Sequence, residues 1–238
     1  MSGEYQQLSD DLVRDLELSH VPVQISYMDQ APPGIPEHPG HSPSVCTFFA
    51  EGRRGGFYAD LEAHQACEIG AFVLGVAPEG DVGQRLMTTV GTMQNEGYLA
   101  PGDEGRIPRN EKAPRYVAYG PLGSLPMEPT AVLMFATPKS AMLAMEAASG
   151  PVPINGRPMC AIVPTLNQGA SVAISPGCIG SRIYTEMGDG EMIVGVRGDH
   201  LKPFAAKVRT IRSANAAVAA ETERRKEAAR KAGAGPTP

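Results

Sequence analysis

The sequence lacks tryptophan and has few other aromatic residues, with seven Tyr and six Phe among its 238 residues. Proteins that stack single-stranded nucleic acid need an aromatic surface, and binding to phosphate backbones needs a basic one. The net charge of −5 at pH 7 gives no such basic excess. The sequence therefore predicts no nucleic-acid partner.

Long apolar runs are also missing, and none approaches the length that crosses a bilayer. The N-terminal stretch MSGEYQQLSDDLVRDLEL is acidic and amphipathic, without the basic and apolar regions of a secretory signal. We therefore expect no membrane partner and a cytoplasmic location, where thiols stay reduced.

Several motifs of known chemistry are absent from the chain. It has no G-x-x-x-x-G-K-[ST] phosphate loop, no G-x-S-x-G nucleophile elbow, no G-x-G-x-x-G dinucleotide turn and no C-x-x-C-H haem attachment. Its four cysteines also lack the compact C-x-x-C spacing of a zinc ribbon or a ferredoxin. The sequence therefore contains none of the commonest motifs for nucleotide binding, serine hydrolysis or haem attachment. The cysteines remain the main indication of function.

The composition is that of a folded protein, with 42% hydrophobic and 20% charged residues. Hydrophobic periodicity predicts a mixed fold, α+β or α/β, in which two similar strand–helix lobes form one domain over residues 1–202. Residues 203–238 are expected to add a long helix, rich in Ala, Arg and Glu, and a disordered tail. That helix is either solvated or a contact between copies, and we expect a homo-oligomer.

The periodicity also sets approximate bounds for the elements. Predicted strands cover residues 21–28, 57–61, 116–120, 131–136, 170–175 and 191–196, and predicted helices cover 5–18, 44–54, 65–76, 82–96, 138–149, 160–167 and 201–231.

Two stretches, at about 44–76 and 158–185, resemble each other. In each, a cysteine (Cys46 or Cys160) begins a short helical segment, a strand follows, and a second cysteine (Cys67 or Cys178) begins another helix. The separations within the two pairs are 21 and 18 residues. If a pseudo-twofold axis relates these repeats, all four cysteines meet near that axis.

Four thiolates around one point suit a [4Fe–4S] cluster or a tetrahedral zinc ion. A cluster would carry electrons to a protein partner, or act as a Lewis acid on a small organic substrate. A mixed zinc site could instead use His64, three residues before Cys67. The Pro-rich loop at 29–43 could cover such a site.

Two other interpretations of the cysteines stay open. Free cysteine is among the most buried residue types, so all four could be inert core residues of a non-catalytic small-molecule binding or assembly protein. Alternatively, a thiol redox enzyme would need two cysteines at disulfide distance, one of them exposed and with a lowered pKa.

Three charged residues close to the cysteines are candidates for substrate chemistry. Arg182 lies one helical turn after Cys178 and could bind a substrate carboxylate or phosphate, although a surface ion pair is the alternative. Glu51 and Glu68 could act as an acid or base near a metal, although solvated charges are the commoner outcome.

The chain resembles a bacterial and archaeal family of unknown function, numbered 169, over roughly residues 8–200. The matching segments are VPVQISYM at 21–28, CTFFAEGR at 46–53, Cys67 with Gly70, PMEPTAVLMFATPKSAML at 126–143, and GCIGSR at 177–182. The resemblance implies no settled activity. The family's association with anaerobic metabolism would suit an oxygen-sensitive cluster.

Overall fold

The computed structural model describes residues 2–40, 42, 44–154 and 159–232. The predicted disordered tail, AGPTP at 234–238, lies outside the described residues, as does the start of the second repeat at residue 158.

One six-stranded sheet organises the molecule, in the order β2-β3-β1-β4-β6-β5 with every pairing antiparallel. The strands are β1 (Val23–Met28), β2 (Phe57–Asp60), β3 (Tyr116–Pro121), β4 (Ala131–Ala136), β5 (Val172–Ser175) and β6 (Met192–Arg197). The mixed fold class is confirmed, and the antiparallel pairing makes it α+β.

Helices cover both faces of the sheet. They are α1 (Ser2–Leu16), α2 (Val45–Gly52), α3 (Leu61–His64), α4 (Glu68–Leu74), α5 (Gly80–Asn95), α6 (Pro138–Ala147), α7 (Ile162–Asn167), α8 (Ile179–Thr185) and α9 (Leu201–Lys231), with 3-10 turns at Asp103–Arg106, Met159–Ala161 and Gly198–His200. The long C-terminal helix has the bounds that the sequence predicts. Within the described residues, no helix is long and apolar enough to cross a membrane.

Alternation along the strands assigns side chains to two cores, because successive residues of a strand point to opposite faces. Leu133 and Phe135 of β4 face a core formed with α2, α4 and α7. Val132 and Met134 of the same strand face a second core, formed with α1, α6 and α9. The sheet is therefore the middle of three layers.

When β1, β2 and β3 are matched with β4, β5 and β6, the strand order is the same from either edge of the sheet, which confirms the two similar lobes. The first lobe contributes β1, β2 and β3 and the second β4, β5 and β6, so the antiparallel pair of β1 and β4 lies at the centre. Strands β2 and β5 occupy the two edges. In each lobe, a segment ahead of the first cysteine makes a parallel bridge to the edge strand, Glu37 with Tyr58 and Ile154 with Ile174. These bridges cover part of each open edge.

The predicted helix at 65–76 is wrong in its bounds, because α4 covers only Glu68–Leu74 and residues 65–67 lie between α3 and α4. Cys67 has φ −105° and ψ 97°, an extended conformation that no helix interior adopts. Its sulfur accepts a hydrogen bond from the Gly70 amide, which caps α4. Apolar spacing alone does not locate this start, since Ile69, Phe72 and Val73 lie on one helix face whether the helix begins at residue 65 or at residue 68.

Candidate cysteine site

The four cysteines lie on the same face of the sheet and line one cavity of about 730 Å³. Cys46 is in the first turn of α2, and Cys160 is in the 3-10 turn that precedes α7. Cys67 and Cys178 occupy equivalent positions in the two lobes, as the N-cap residues of α4 and α8. The structure thus brings together the residues that the internal repeat singled out.

The lobes exchange contacts crosswise around the cavity. Helix α2, which carries Cys46, packs against α8 of the other lobe, whose N-cap is Cys178. In the same way, the turn that carries Cys160 packs against α4, whose N-cap is Cys67. Neither lobe alone therefore supplies the surroundings of its own cysteine pair.

Hydrogen bonds orient the sulfur atoms in a similar way in both lobes. The Gly70 amide donates to the Cys67 Sγ at 3.3 Å, and the Ser181 amide donates to the Cys178 Sγ at 3.4 Å. The Ser181 hydroxyl also accepts from the Cys178 amide at 2.7 Å, which completes a capping box. In the first lobe, the Ser44 hydroxyl accepts from the Cys46 amide at 3.2 Å.

Burial makes three of these thiols weaker acids than an ordinary cysteine. It raises the pKa of Cys46 to about 12 and also raises the pKa of Cys67. Burial raises the pKa of Cys160 well above its usual value, and the negative charges of the other three cysteines add to this effect. All four cysteines are free. A cation bound here would have to displace the thiol protons.

The described side chains do not form a compact site for one ion. Within the described residues, no group of three or more His, Cys, Asp or Glu side chains could hold a metal ion. A single tetrahedral ion would therefore require the side chains to move closer together.

Gly70 allows the two helices of the first lobe to approach closely. A Cβ atom at this position would lie 2.4 Å from the Val45 Cγ2 atom and 3.0 Å from the Cys67 Sγ atom. Real Cβ atoms do not tolerate contacts this short, so the close packing of α4 on α2 requires glycine here. That packing keeps Cys67 and Cys46 on the same cavity wall.

The outer wall of the cavity is apolar and belongs to the first lobe. Helix α5 and the residues that follow it contribute Leu86, Met87, Val90, Met93, Tyr98, Leu99 and Ile107. A small separate cluster of Leu86, Val90 and Leu99 packs this wall on Ile69 and Phe72. The thiols therefore face a space that is sheltered mainly by hydrocarbon.

A family model described as DUF169, uncharacterised ArCR, matches residues 11–207. The chain belongs to the DUF169 family. No curated protein and no solved structure matches it. Membership confirms the resemblance found in the sequence, and the family's description gives no activity that could be carried over to this DUF169 chain.

Among the charged candidates of the DUF169 chain, Glu68 alone lines the described part of the cavity. Its carboxylate accepts a hydrogen bond from the Thr89 hydroxyl at 2.7 Å and lies 3.7 Å from the Arg85 guanidinium. Glu51 lies outside the cavity wall and instead makes a 2.7 Å hydrogen bond with His38. Glu68 is therefore the carboxylate placed to meet a bound molecule.

Arg182 is turned away from the cavity. Its guanidinium donates hydrogen bonds to the carbonyl oxygens of Pro176, Gly188 and Glu191, at 2.8, 3.0 and 3.4 Å. These contacts brace the connection between α8 and β6. The side chain that was a candidate for substrate binding thus has its donors engaged by the protein's own backbone.

His64 does not line the cavity either. Its Nδ1–H donates to the Asp60 carbonyl, and its Nε2 therefore accepts from the Tyr119 hydroxyl at 2.8 Å. Burial lowers the pKa of His64 to about 4, so the ring is neutral at pH 7. With both nitrogen atoms occupied, His64 supports the core beside the first cysteine pair.

The Pro-rich loop also lies elsewhere. Pro36 accepts a hydrogen bond from the Tyr58 amide, and the His38 amide donates to the Tyr58 carbonyl. These contacts hold the loop along the edge strand β2, and none of its described residues lines the cavity. Residues 41 and 43 of this loop, including His41, lie outside the described residues.

Two arginines after α2 join the lobes by contacts that the sequence pattern does not predict. The Arg53 Nη2 donates to the Thr185 carbonyl at 2.7 Å, and the guanidinium lies 4.5 Å from the centre of the Phe135 ring. Its neighbour Arg54 forms two hydrogen bonds with the Glu186 carboxylate. The two arginines hold the ends of α2 and α8 together, but charge after a helix gives no sequence signal for such a distant partner.

Proposed function

We propose that this DUF169 chain is an iron–sulfur protein that holds a [4Fe–4S] cluster through Cys46, Cys67, Cys160 and Cys178. The cluster would serve a redox or Lewis-acid role on a small organic substrate in the adjoining cavity. One observation carries the proposal: four cysteines, two from each lobe, line the same cavity on helices that pack crosswise.

The donor set suits a cluster, and zinc is the alternative for the same four cysteines. Four cysteines are the usual ligands of a [4Fe–4S] cluster and also of some structural zinc sites. A cubane cluster binds each thiolate through a different iron, so its four sulfurs stand further apart than the ligands of one ion. Acid-labile sulfide, which a cluster contains and a zinc site lacks, distinguishes the two.

The surroundings of the sulfurs also suit a cluster. Hydrogen bonds to cluster sulfurs and shelter from solvent tune the reduction potential. The backbone amides at Gly70 and Ser181 already donate to two of the sulfurs. When bound, the cluster would supply an electron, and a Lewis-acid role would need one of the four irons to lose its cysteine ligand. Glu68, at the cavity wall, is placed to hold a proton of a bound molecule.

Two rival functions remain distinct from this proposal. A thiol redox enzyme needs a thiol of lowered pKa, whereas burial raises the pKa of Cys46, Cys67 and Cys160. A non-catalytic binding protein with inert cysteines would use the same cavity without metal. Homo-oligomer formation, a cytoplasmic location and a role in anaerobic metabolism stay predictions.

The test is the iron and acid-labile sulfide content of the full chain purified without oxygen, together with its visible spectrum. We expect brown protein with about four iron and four sulfide per chain. Each single Cys→Ser substitution at the four positions should lower both contents. Ile183→Ser is the matched control, because Ile183 lies on α8 but is 67% exposed. Folded protein that is colourless and free of metal, or that carries zinc alone, would contradict the proposal.

A further inference from the structure

The cavity beside the cysteines has the size of a small-molecule site. Its volume of about 730 Å³ falls in the range of roughly 300–1,000 Å³ that is typical of ligand pockets. One wall is built by a feature that only the first lobe has. In the first lobe, the connection from α4 to β3 covers residues 75–115 and includes α5. In the second lobe, the equivalent connection from α8 to β6 covers only residues 186–191.

The entrance to the cavity carries apolar side chains from both lobes. Met87 and Tyr98 of the α5 wall are 67% and 52% exposed, and Ile179 and Tyr184 of α8 are 70% and 40% exposed. Large apolar side chains that converge around a cavity mark a binding surface, in contrast to single exposed residues scattered over a protein. The entrance therefore favours a ligand with substantial hydrocarbon.

The charged side chains that line the cavity are all acidic. They are Glu68 and Glu96, and no Lys, Arg or His occurs among the described lining residues. The guanidinium nearest to Glu68 belongs to Arg85, whose other donors are taken by Asp81 and by the carbonyl oxygens of Gln65 and Ala66. An anionic ligand would thus lose its hydration without gaining a cationic partner.

We infer that the cavity binds an apolar organic molecule whose polar group is neutral or cationic, and that it rejects anionic metabolites such as carboxylates and phosphate esters. The inference rests on the proposed function only for the chemistry done on the ligand, because binding itself can be measured with or without a cluster. Glu68 is the specificity residue, since it is both part of the wall and next to Cys67.

Gly91 of α5 provides a way to block the cavity without disturbing the fold. It lines the cavity, and a Cβ atom added there would meet nothing within 4 Å. Gly91→Leu should therefore fill the space with hydrocarbon. Gly3→Leu is the matched control, because Gly3 is a glycine of α1 with equally open surroundings and lies outside the cavity wall.

The experiment measures the fluorescence of Nile red, a neutral apolar dye, bound to the anaerobically purified full chain. The dye is then displaced by decan-1-ol, decyltrimethylammonium or decanoate, which share one chain and differ in charge. We expect the alcohol and the cation to displace the dye at concentrations at least about tenfold below that of decanoate. Gly91→Leu should weaken dye binding about tenfold or more, and Gly3→Leu should not.

Two further variants test the charge argument. Glu68→Gln should reduce several-fold the ratio of the decanoate and decan-1-ol concentrations that displace the dye. Glu51→Gln, outside the cavity, should leave this ratio unchanged. Decanoate displacing the dye as well as the other two compounds, or dye binding that Gly91→Leu leaves intact, would overturn the inference. Iron content is measured on the same samples. Dye binding to iron-free protein would refute the proposed function but not the inference. Iron-loaded protein whose dye binding Gly91→Leu leaves unaffected would refute the inference but not the proposed function.

Discussion

Replacing Gly70 with alanine should push α4 away from α2 and disturb the cysteine site. The new Cβ would lie 2.4 Å from the Val45 Cγ2 and 2.9 Å from the Val45 Cβ, and Val45 is itself buried. Overpacking of a core costs about 1–3 kcal/mol, and alanine recovers about 1 kcal/mol as the better helix former. Because the contact is with a β-branched side chain that cannot rotate away, we expect a net loss of about 1–2 kcal/mol in the free energy of unfolding.

The measurement is urea unfolding of wild type, Gly70→Ala and Gly180→Ala, with iron content determined in parallel. Gly180, just inside α8, is the matched control, because its Cβ would meet only the Cys178 Sγ, at 3.7 Å. Gly180→Ala should be neutral or stabilising by up to about 1 kcal/mol, so only Gly70→Ala should lose stability. Val45→Ala should partly rescue Gly70→Ala in a double-mutant cycle. A Gly70→Ala protein as stable as wild type and fully loaded with iron would refute the reasoning.

Three other predictions follow from single contacts. Burial lowers the pKa of His64 to about 4, so the free energy of unfolding should fall by up to about 1.4 kcal/mol per pH unit as the pH drops from 6.5 to 4. Urea unfolding should show that His64→Phe loses this pH dependence and that His200→Phe keeps it. An equal pH dependence in both variants would contradict the assignment. Burial raises the pKa of Cys46 to about 12, so the metal-free protein should lose stability as the pH rises above about 9, and Cys46→Ser should be less sensitive; a flat profile between pH 8 and 10 argues against a buried thiol. Arg53→Lys should lower the free energy of unfolding by about 1–2 kcal/mol in a thermal unfolding experiment, because it breaks the hydrogen bond to the Thr185 carbonyl and the contact with Phe135. Arg54→Lys at the surface should cost under about 0.5 kcal/mol. Equal losses for the two variants would contradict a stabilising role of the buried Arg53 contact.

The strands and the long helix could be predicted from the sequence, because their patterns are local. The continuous apolar run at 131–136 gives β4 with its observed bounds, and the helical pattern at 201–231 gives α9. The start of α4 at Cys67 is indicated by the internal repeat, but the apolar spacing does not locate it. That start depends on one residue that leaves the helical conformation and uses its own sulfur as a cap, which apolar spacing does not record.

The candidate site was predictable in part because the internal repeat names its four cysteines. The repeat does not show which helix packs against which, and the crosswise contacts of α2 with α8 come from the sheet order. It also gives no information on α5, since that wall has no counterpart in the second lobe. Arg182 illustrates the limit of charge patterns, because its partners are backbone carbonyls that sequence cannot place.

The symmetric strand order has a consequence for how the two halves differ. The lobes are equivalent on either side of the β1–β4 pair, but the segment 75–115 occurs in the first lobe only. Cys67 and Cys178, which are equivalent N-cap residues, therefore lie in unequal surroundings. A single segment between α4 and β3 thus makes an otherwise symmetric arrangement of thiols one-sided.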